Sequence, residues 1–419
     1  MSTRGPSEIA LSARSAEASL AGVQVEPKRG PRILWVIRTL PFPLTSGDRV
    51  YSAEFIRAAA AAGAEITVLG LATASPPQAD FGPIDWIPVA AAPRSELAAA
   101  AMNLPLVAAR HSPPAVRDAL RDALRRVKPD LLVLDSVGSG WVLDALGADA
   151  PPLCYVAHNW ELQITRDIAR EFRGPILKRL FLQLNAWRTR RTEARMVARA
   201  RLVVALTDSD RGNLLKDAPG KPAVLIPPGF VGAIRPQRAI DAAVPRRVVM
   251  LGSVQWIAKQ MNMAAFLSVA DPAFAKAGIT LDIVGDVADE FRRDWAPKVK
   301  ATRFLGFVDD VNAVLDQARI GLLIDSLGGG FKLKVLSYLQ ARAPVAALRG
   351  SFEGIPESVA RHFLVAPDAE KLVAAIVAAI DDLPRLNAMQ EAALVAAEGQ
   401  FDWPENGRRF VAAAHAALA

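Results

Sequence analysis

An α/β protein built from two doubly wound domains in series is the fold class this sequence predicts, and three observations predict it. Short apolar runs of strand length alternate with helical patterns from Arg32 onward. The alternation lapses across the mixed, proline-containing stretch Gly232–Pro245 and then restarts. The chain has 419 residues, more than one hydrophobic core ordinarily supports. Strands covered on both faces read as continuous apolar runs, and strands alternating with helices make parallel sheets of that kind.

Taken in order, the first domain (residues 31–235) has candidate strands at Arg32–Ile37, Glu65–Leu71, Asp130–Asp135, Leu153–His158, Arg201–Thr207 and Ala223–Ile226. Helical patterns separate most of them, notably Arg49–Ala62 and Pro114–Val127. Residues 236–245 form the linker. The second domain (residues 246–400) has strands at Arg246–Leu251, Thr280–Val284, Thr302–Phe307, Ile320–Asp325, Pro344–Leu348 and His362–Ala366. Residues 401–419 read as a turn and an amphipathic helix that caps the chain, and residues 1–30, small and polar with no apolar signal core, as a disordered tail. Ligands in such sheets bind at the carboxyl ends of the strands, so two sheets facing each other imply an interdomain cleft.

Composition narrows the function. Charged residues make up 22% and hydrophobic ones 52%, with no apolar run long enough to span a bilayer. Cys154 is the only cysteine, which excludes an intrachain disulfide and a thiolate zinc cluster and fits a cytoplasmic protein; its apolar neighbours suggest a buried thiol. A formal charge of +7 points to anionic partners. No G-x-x-x-x-G-K-[ST] or G-x-S-x-G occurs, and no G-x-G-x-x-G follows the first strand, which counts against a dinucleotide oxidoreductase. Asp208, Ser209 and Asp210 form a D-x-D string, but it follows a strand and precedes a helix, where capping is the expected role.

The stretch Gly328–Pro344 (GGGFKLKVLSYLQARAP) joins an apolar strand to a helix through a glycine turn. That order predicts free backbone N–H groups at Gly330, Phe331 and Lys332 at a helix N-terminus, a setting that favours an anion. Lys332 and Lys334 add point charges; residues two apart on a helix do not share a face, and Lys334 is the expected phosphate contact. A flexible turn beside two solvated lysines is the plainer account of the same residues.

A second basic stretch, Gly174–Arg201, interleaves Leu180, Phe181, Leu184 and Trp187 with Lys178, Arg179, Arg188, Arg190 and Arg191. It suits an anionic membrane surface, and it equally suits a core helix whose arginines sit in water. Nucleic acid is not an expected partner, because the chain has only three tyrosines to supply stacking platforms.

Several separated segments, in order, resemble the GT-B glycosyltransferases of family 4, also called group 1. They are PFPLTSGDRVYSAEFIRAAAAAGAEITVL, AHNWE and RTEARMVARARLVVALTDSDRGNLL in the first half, and VVMLGSVQWIAKQMNMAAF, LDIVGD, TRFLGFVDDVNAVLDQARIGLLI and GGGFKLKVLSYLQARAPV in the second. The likeness runs from about Arg32 to the C-terminus. It implies two Rossmann-like domains facing a cleft, the acceptor held by the first and a nucleotide diphosphate sugar by the second, with retention of configuration and no metal or other cofactor.

By the same resemblance, Gly329 to Ser337 corresponds to the turn and helix that hold the donor diphosphate and ribose. Gly329 and Ser337 stand where the family usually has glutamates, so Ser337 offers a shorter, neutral ribose contact. Gly252, Ser253 and Lys259 fall at the loop of donor phosphate contacts. Gly306, Phe307 and Val308 fall at the turn that reads the nucleobase, where Asp309 also reads as a helix N-cap. In the first domain, Gly47 and Asp48 fall at the loop approaching donor and acceptor, Asp48 and Arg49 doubling as helix-start residues. His158 matches a histidine beside the transferred sugar, an alternative to a buried core histidine; as an uncharged donor it would hold a sugar hydroxyl. The resemblance implies a transferase, cytoplasmic or peripheral on the inner face of the membrane. A non-catalytic partner of an active transferase is the alternative, motivated by Gly329 and Ser337.

Overall fold

The structure, a computed structural model, describes residues 30–73, 81–255, 257–325 and 330–419. The expected tail up to Arg29, Trp256, and Gly328 and Gly329 of the glycine turn lie outside these residues.

Two all-parallel sheets organise the chain. The first contains β1 (Arg32–Thr39), β2 (Glu65–Leu71), β3 (Ile84–Val89), β4 (Leu131–Asp135), β5 (Leu153–Ala157), β6 (Ala200–Ala205) and β7 (Ala223–Leu225), in the order β3-β2-β1-β4-β5-β6-β7. The second contains β8 (Arg247–Leu251), β9 (Thr280–Val284), β10 (Thr302–Gly306), β11 (Ile320–Leu323), β12 (Val345–Leu348) and β13 (Leu364–Ala366), in the order β10-β9-β8-β11-β12-β13. Both are doubly wound, and the order reverses between β1 and β4 in one sheet and between β8 and β11 in the other. The predicted fold class is the observed one.

The strand that sequence reading missed is β3. It is half exposed at the sheet edge and carries Asp85 and Pro88, which break the apolar run that marks its neighbours; an edge tolerates both. The helix Pro114–Val127 has the predicted bounds, with Pro114 pre-organised at its first turn and Lys128 ending it in the left-handed region.

A hydrophobic cluster runs from Ile33 and Trp35 of β1 through Leu323, Phe331 and Tyr338 of the second domain, so one continuous core joins the two sheets. The final helix, Trp403–Leu418, packs back on the first domain: Phe410 lies 4.9 Å from Phe55 and 5.7 Å from Trp35, and Trp403 5.6 Å from Tyr51, ring centre to ring centre. Gly407 is required there, because a β-carbon would meet the Ala58 carbonyl oxygen at 2.1 Å. The thiol of Cys154 is fully buried in β5, as its neighbours predicted, and burial pushes it well above the ordinary thiol range.

Candidate functional site

A buried carboxylate ends or closely follows the switch-point strand of each sheet. In the first domain this is Asp135, the last residue of β4, 1% exposed. Trp35 Nε1 donates to Asp135 Oδ2 at 2.8 Å. The other oxygen, Oδ1, lies 2.6 Å from His158 Nε2, an ion-pair distance without the alignment of a directed hydrogen bond. His158 follows β5 directly, and with Nε2 facing Asp135 its Nδ1 is the ring nitrogen left for any further partner. The Tyr51 ring meets the imidazole edge to face at 5.1 Å.

Asp48 adds a second carboxylate on this side. It sits in the first turn of the helix Gly47–Ala61, whose N-cap is Ser46, and it forms an ion pair with Arg38 near the end of β1. Burial pulls the Asp48 carboxyl upward, but Arg38, Ser46 and His158 outweigh it and hold it below the ordinary range. Burial pushes His158 down, and Asp135 with help from Asp48 more than reverses that, so its pKa is raised. The surroundings favour the imidazolium. The expectation of an uncharged histidine took no account of Asp135, which comes from a different strand and which the sequence order hides.

In the second domain the buried carboxylate is Asp325, two residues beyond β11. Lys334 Nζ lies 2.5 Å from Asp325 Oδ2 and is 13% exposed. Lys334 opens the helix Lys334–Gln340, and Tyr338, one turn on, fixes that helix to the sheet. Its hydroxyl accepts from Leu251 N at 2.9 Å and donates towards Leu322 O at 3.1 Å, while the ring lies so close over Gly321 that a β-carbon there would come within 2.7 Å. Lys259, near the start of the helix Ile257–Ala277, and Lys332 complete the cluster. Burial lowers the pKa of both, Asp325 opposes that, and Lys334 reinforces it. Asp325 itself feels all three lysines; burial pushes it up and they bring it below its ordinary value. Three lysines thus converge on Asp325, with Asp48 acting on Lys259 and Glu353 on Lys332 from further off, and an entering anion would give the desolvated lysines a further partner.

Two expected details shift. The helix begins at Lys334, so Gly330, Phe331 and Lys332 precede it and do not form its first turn; Gly330 needs φ +76°, and Phe331 is buried against Phe401 at 5.8 Å. Asp310, not Asp309, caps the helix Val311–Asp316, accepting from Asn312 N and Ala313 N. The D-x-D string caps as expected, though Thr207 is the N-cap and Asp210 its reciprocal partner.

Other expected residues lie at or just beyond the carboxyl ends of β8 and β10, or on the Lys334 helix. Gly252 turns the chain after β8 at φ +120°, and a β-carbon there would lie 3.9 Å from Lys334 Nζ. Ser253 Oγ accepts from Gln255 N at 3.3 Å. Ser337 lies one turn from Lys334 on the same helix face, half buried. Gly306 ends β10 at φ +72°, Phe307 is 71% exposed, and Val308 packs on the core. Gly329 lies outside the described residues.

The two halves touch. A β-carbon on Gly330 would lie 1.8 Å from Asn159 Oδ1, one on Gly47 3.5 Å from Leu333 Cδ1, and one on Gly354 2.8 Å from Thr207 Cγ2. Residues that sequence reading missed are Asp135, Asp325, Arg38 and Asn159. The two aspartates carried a signal: each closes an apolar strand, in DLLVLD and IGLLID.

Comparison with known proteins agrees with this geometry. The family model described as Glycosyltransferase Family 4 matches residues 45–231, and that described as Glycosyl transferases group 1 matches residues 245–382. No curated protein matches the chain by sequence. Among solved structures, WaaG, a glycosyltransferase involved in lipopolysaccharide biosynthesis, superposes with TM-score 0.62 at 16% identity, covering 90% of this chain and 99% of its own. HepE from Anabaena, in complex with UDP and glucose, gives 0.59 at 15% identity, covering 91% and 98%. Sucrose-phosphate synthase from Thermosynechococcus elongatus gives 0.61 at 18%, covering 91% and 97%. At such identities the likeness is one of fold.

Proposed function

The chain belongs to the GT-B glycosyltransferases of the group 1, or family 4, kind, and from that premise we propose that it moves a sugar from a nucleoside diphosphate sugar to an acceptor hydroxyl, with retention at the anomeric carbon and without a metal. The observation that carries this reading is the convergence of Lys259, Lys332 and Lys334 on Asp325 at the switch point of the second sheet. The bond between the anomeric carbon and the β-phosphate oxygen breaks, and charge develops on the departing diphosphate. Preorganised cations in a low-dielectric site stabilise that charge, the task a divalent ion performs elsewhere. The acceptor oxygen bonds to the anomeric carbon, and its proton passes to a phosphate oxygen of the leaving group.

On the facing side, His158 holds a sugar hydroxyl through Nδ1 while Asp135 fixes the ring through Nε2. Asp48, paired with Arg38, lines the same side. Gly252 and Ser253 approach the phosphates, Gly306 to Val308 meet the base, and Ser337 reaches the ribose. The acceptor in this reading is a lipid-linked glycan or a surface polysaccharide precursor.

The test is calorimetric titration of UDP and GDP, with and without magnesium, into the protein and into a Lys334→Ala variant. UDP is the first choice because HepE, which shares the fold, was solved with UDP-glucose. Metal-free binding that weakens about a hundredfold in the variant supports the reading. Absence of binding to either nucleotide overturns it and favours a non-catalytic partner of another transferase.

A further inference from the structure

The helix Ile176–Arg199 is too long for the strand it feeds. Its 24 residues span about 36 Å, whereas β6, which follows at once, has 6 residues and runs about 20 Å. The helix descends to the amino end of β6, so its first half rises past the carboxyl edge of the sheet. Burial agrees: the buried residues begin only at Ala186. Asn185 and Arg188 mark the level of the edge, where Asn185 Oδ1 accepts from Leu106 N at 2.8 Å and Arg188 donates to Ala100 O at 3.0 Å, both in the segment after β3. The main helical partner of this helix is Glu161–Glu171, which starts three residues after His158. The two form a hairpin standing on the cleft side of the first domain.

The outer face of this hairpin is apolar. Ile176, Leu180, Leu184 and Trp187 follow the spacing of one helix face, with Leu177 beside them, and all five are between 43% and 78% exposed. Leu97, on the short helix that Arg188 anchors, is 87% exposed. Around this stripe, residues Phe172–Thr192 carry Arg173, Lys178, Arg179, Arg188, Arg190 and Arg191 and no acidic residue. Among the described residues none of these six is in an ion pair with a carboxylate; Lys178 and Arg191 instead lie over the rings of Phe172 and Trp187. No helix among the described residues is long and apolar enough to cross a membrane.

We propose that this hairpin docks the protein on an anionic phospholipid surface, the stripe from Ile176 to Trp187 entering the headgroup boundary and the surrounding basic side chains meeting lipid phosphates. Charge chooses this occupant over a second copy of the chain, because two copies meeting through this face would bring together like charges, the nearby acids Glu96, Asp167 and Glu171 being already paired with Arg110 and Arg170. Arginine and lysine stems cover the flanks of the stripe while their heads reach the interface. The placement brings the bilayer to the side of the cleft that holds His158. The docking stands on this surface alone and does not require that sugar transfer be confirmed.

The test is flotation of the full chain with vesicles of phosphatidylcholine alone and of phosphatidylcholine mixed with phosphatidylglycerol. Binding only to the mixed vesicles, weakened by salt, is expected. Replacing Lys178 and Arg179 together by glutamine lowers the partition about thirtyfold, and Leu177→Ser lowers it about tenfold. Arg121→Gln, on the exposed helix Pro114–Val127, changes it less than twofold, a surface charge away from the bilayer being screened. All four positions are exposed, so circular dichroism and melting of the variants match the parent. Failure to float with mixed vesicles overturns the proposal, as does equal flotation of the Leu177 and Lys178/Arg179 variants. A dimer in gel filtration that Leu177→Ser dissolves also overturns it, by showing that a second copy covers the stripe.

Discussion

Gly330 of the second domain sits so close to Asn159 of the first that a β-carbon on the glycine would lie 1.8 Å from Asn159 Oδ1 and 3.1 Å from the His158 carbonyl oxygen. The glycine also holds φ +76°, a region that side-chain-bearing residues enter at a cost of about 1–2 kcal/mol. Gly330→Ala therefore forces the lysine-bearing turn away from the His158 loop. The expected result is a loss of at least tenfold in kcat/KM, with both domains still folded by circular dichroism. Asn159→Gly in the same chain relieves the clash but not the backbone strain, so it restores part of the loss. A double variant no better than Gly330→Ala would show that the contact does not set the geometry.

Asp325 makes the lysine cluster tolerable, and removing either side of the pair has a different signature. Lys334→Ala leaves Asp325 with Lys259 and Lys332 and is expected to lower kcat/KM by about 10²–10³ while changing the melting temperature little. Asp325→Ala leaves Lys334 buried without its carboxylate and is expected to cost about 3–5 kcal/mol of stability. Thermal melts of the two variants side by side decide this. Equal destabilisation would mean that the pair is structural and does not serve ligand binding. Because burial lowers Lys259 and Lys332, nucleotide affinity should also begin to fall at a lower pH than ordinary lysines, with their pKa of 10.5, would give.

Much of this arrangement was legible in sequence because it is local. Alternating apolar runs revealed twelve of the strands, and the lysines that follow the glycine turn singled out the segment whose Lys334 meets Asp325. What escaped notice depends on tertiary pairing. Asp135 and Asp325 look like strand ends until the sheet order places them at the two switch points. The start of the helix at Lys334 is set by Tyr338 binding the strands beneath it, which no propensity reports. Asn159 acquires its meaning only when the other domain arrives.

Asp135 is expected to act through His158. Its carboxylate favours the imidazolium, so Asp135→Asn should lower the His158 pKa, read by NMR titration of the ring protons. The sign for stability follows from the raised folded value. The interaction is fully present below the ordinary histidine pKa of 6.5 and is lost as pH rises through the folded one. His158→Gln is expected to lower kcat by about 10²-fold with little change in donor KM if, as proposed, the ring acts on the sugar and not on the nucleotide. A change confined to donor KM would place His158 in donor binding instead.

Glu193 gives the sharpest pH prediction. It lies in the long helix Ile176–Arg199, 4% exposed, and its carboxylate accepts from Tyr155 Oη, Glu161 N and Leu162 N. It thus ties the start of the hairpin's other helix to the body of the domain. Burial first, and then the neighbouring Glu161, push its pKa up to about 8. A raised acid pKa means that the folded chain binds the proton more tightly than the unfolded one. The stabilisation is complete below the ordinary value of 4.5 and declines as pH rises through about 8. Glu193→Gln removes the titration while keeping a carbonyl oxygen for Tyr155 and Glu161, at the loss of the Leu162 contact, about 1 kcal/mol. The variant should therefore melt slightly below the parent at acid pH and above it on the alkaline side, the difference curve crossing between the two pKa values. In the parent alone, amide exchange across Glu161–Glu171 should quicken over the same interval. Parallel melting curves from acid to alkaline pH would show that Glu193 titrates as an ordinary carboxylate and that the hairpin has no proton-linked tether.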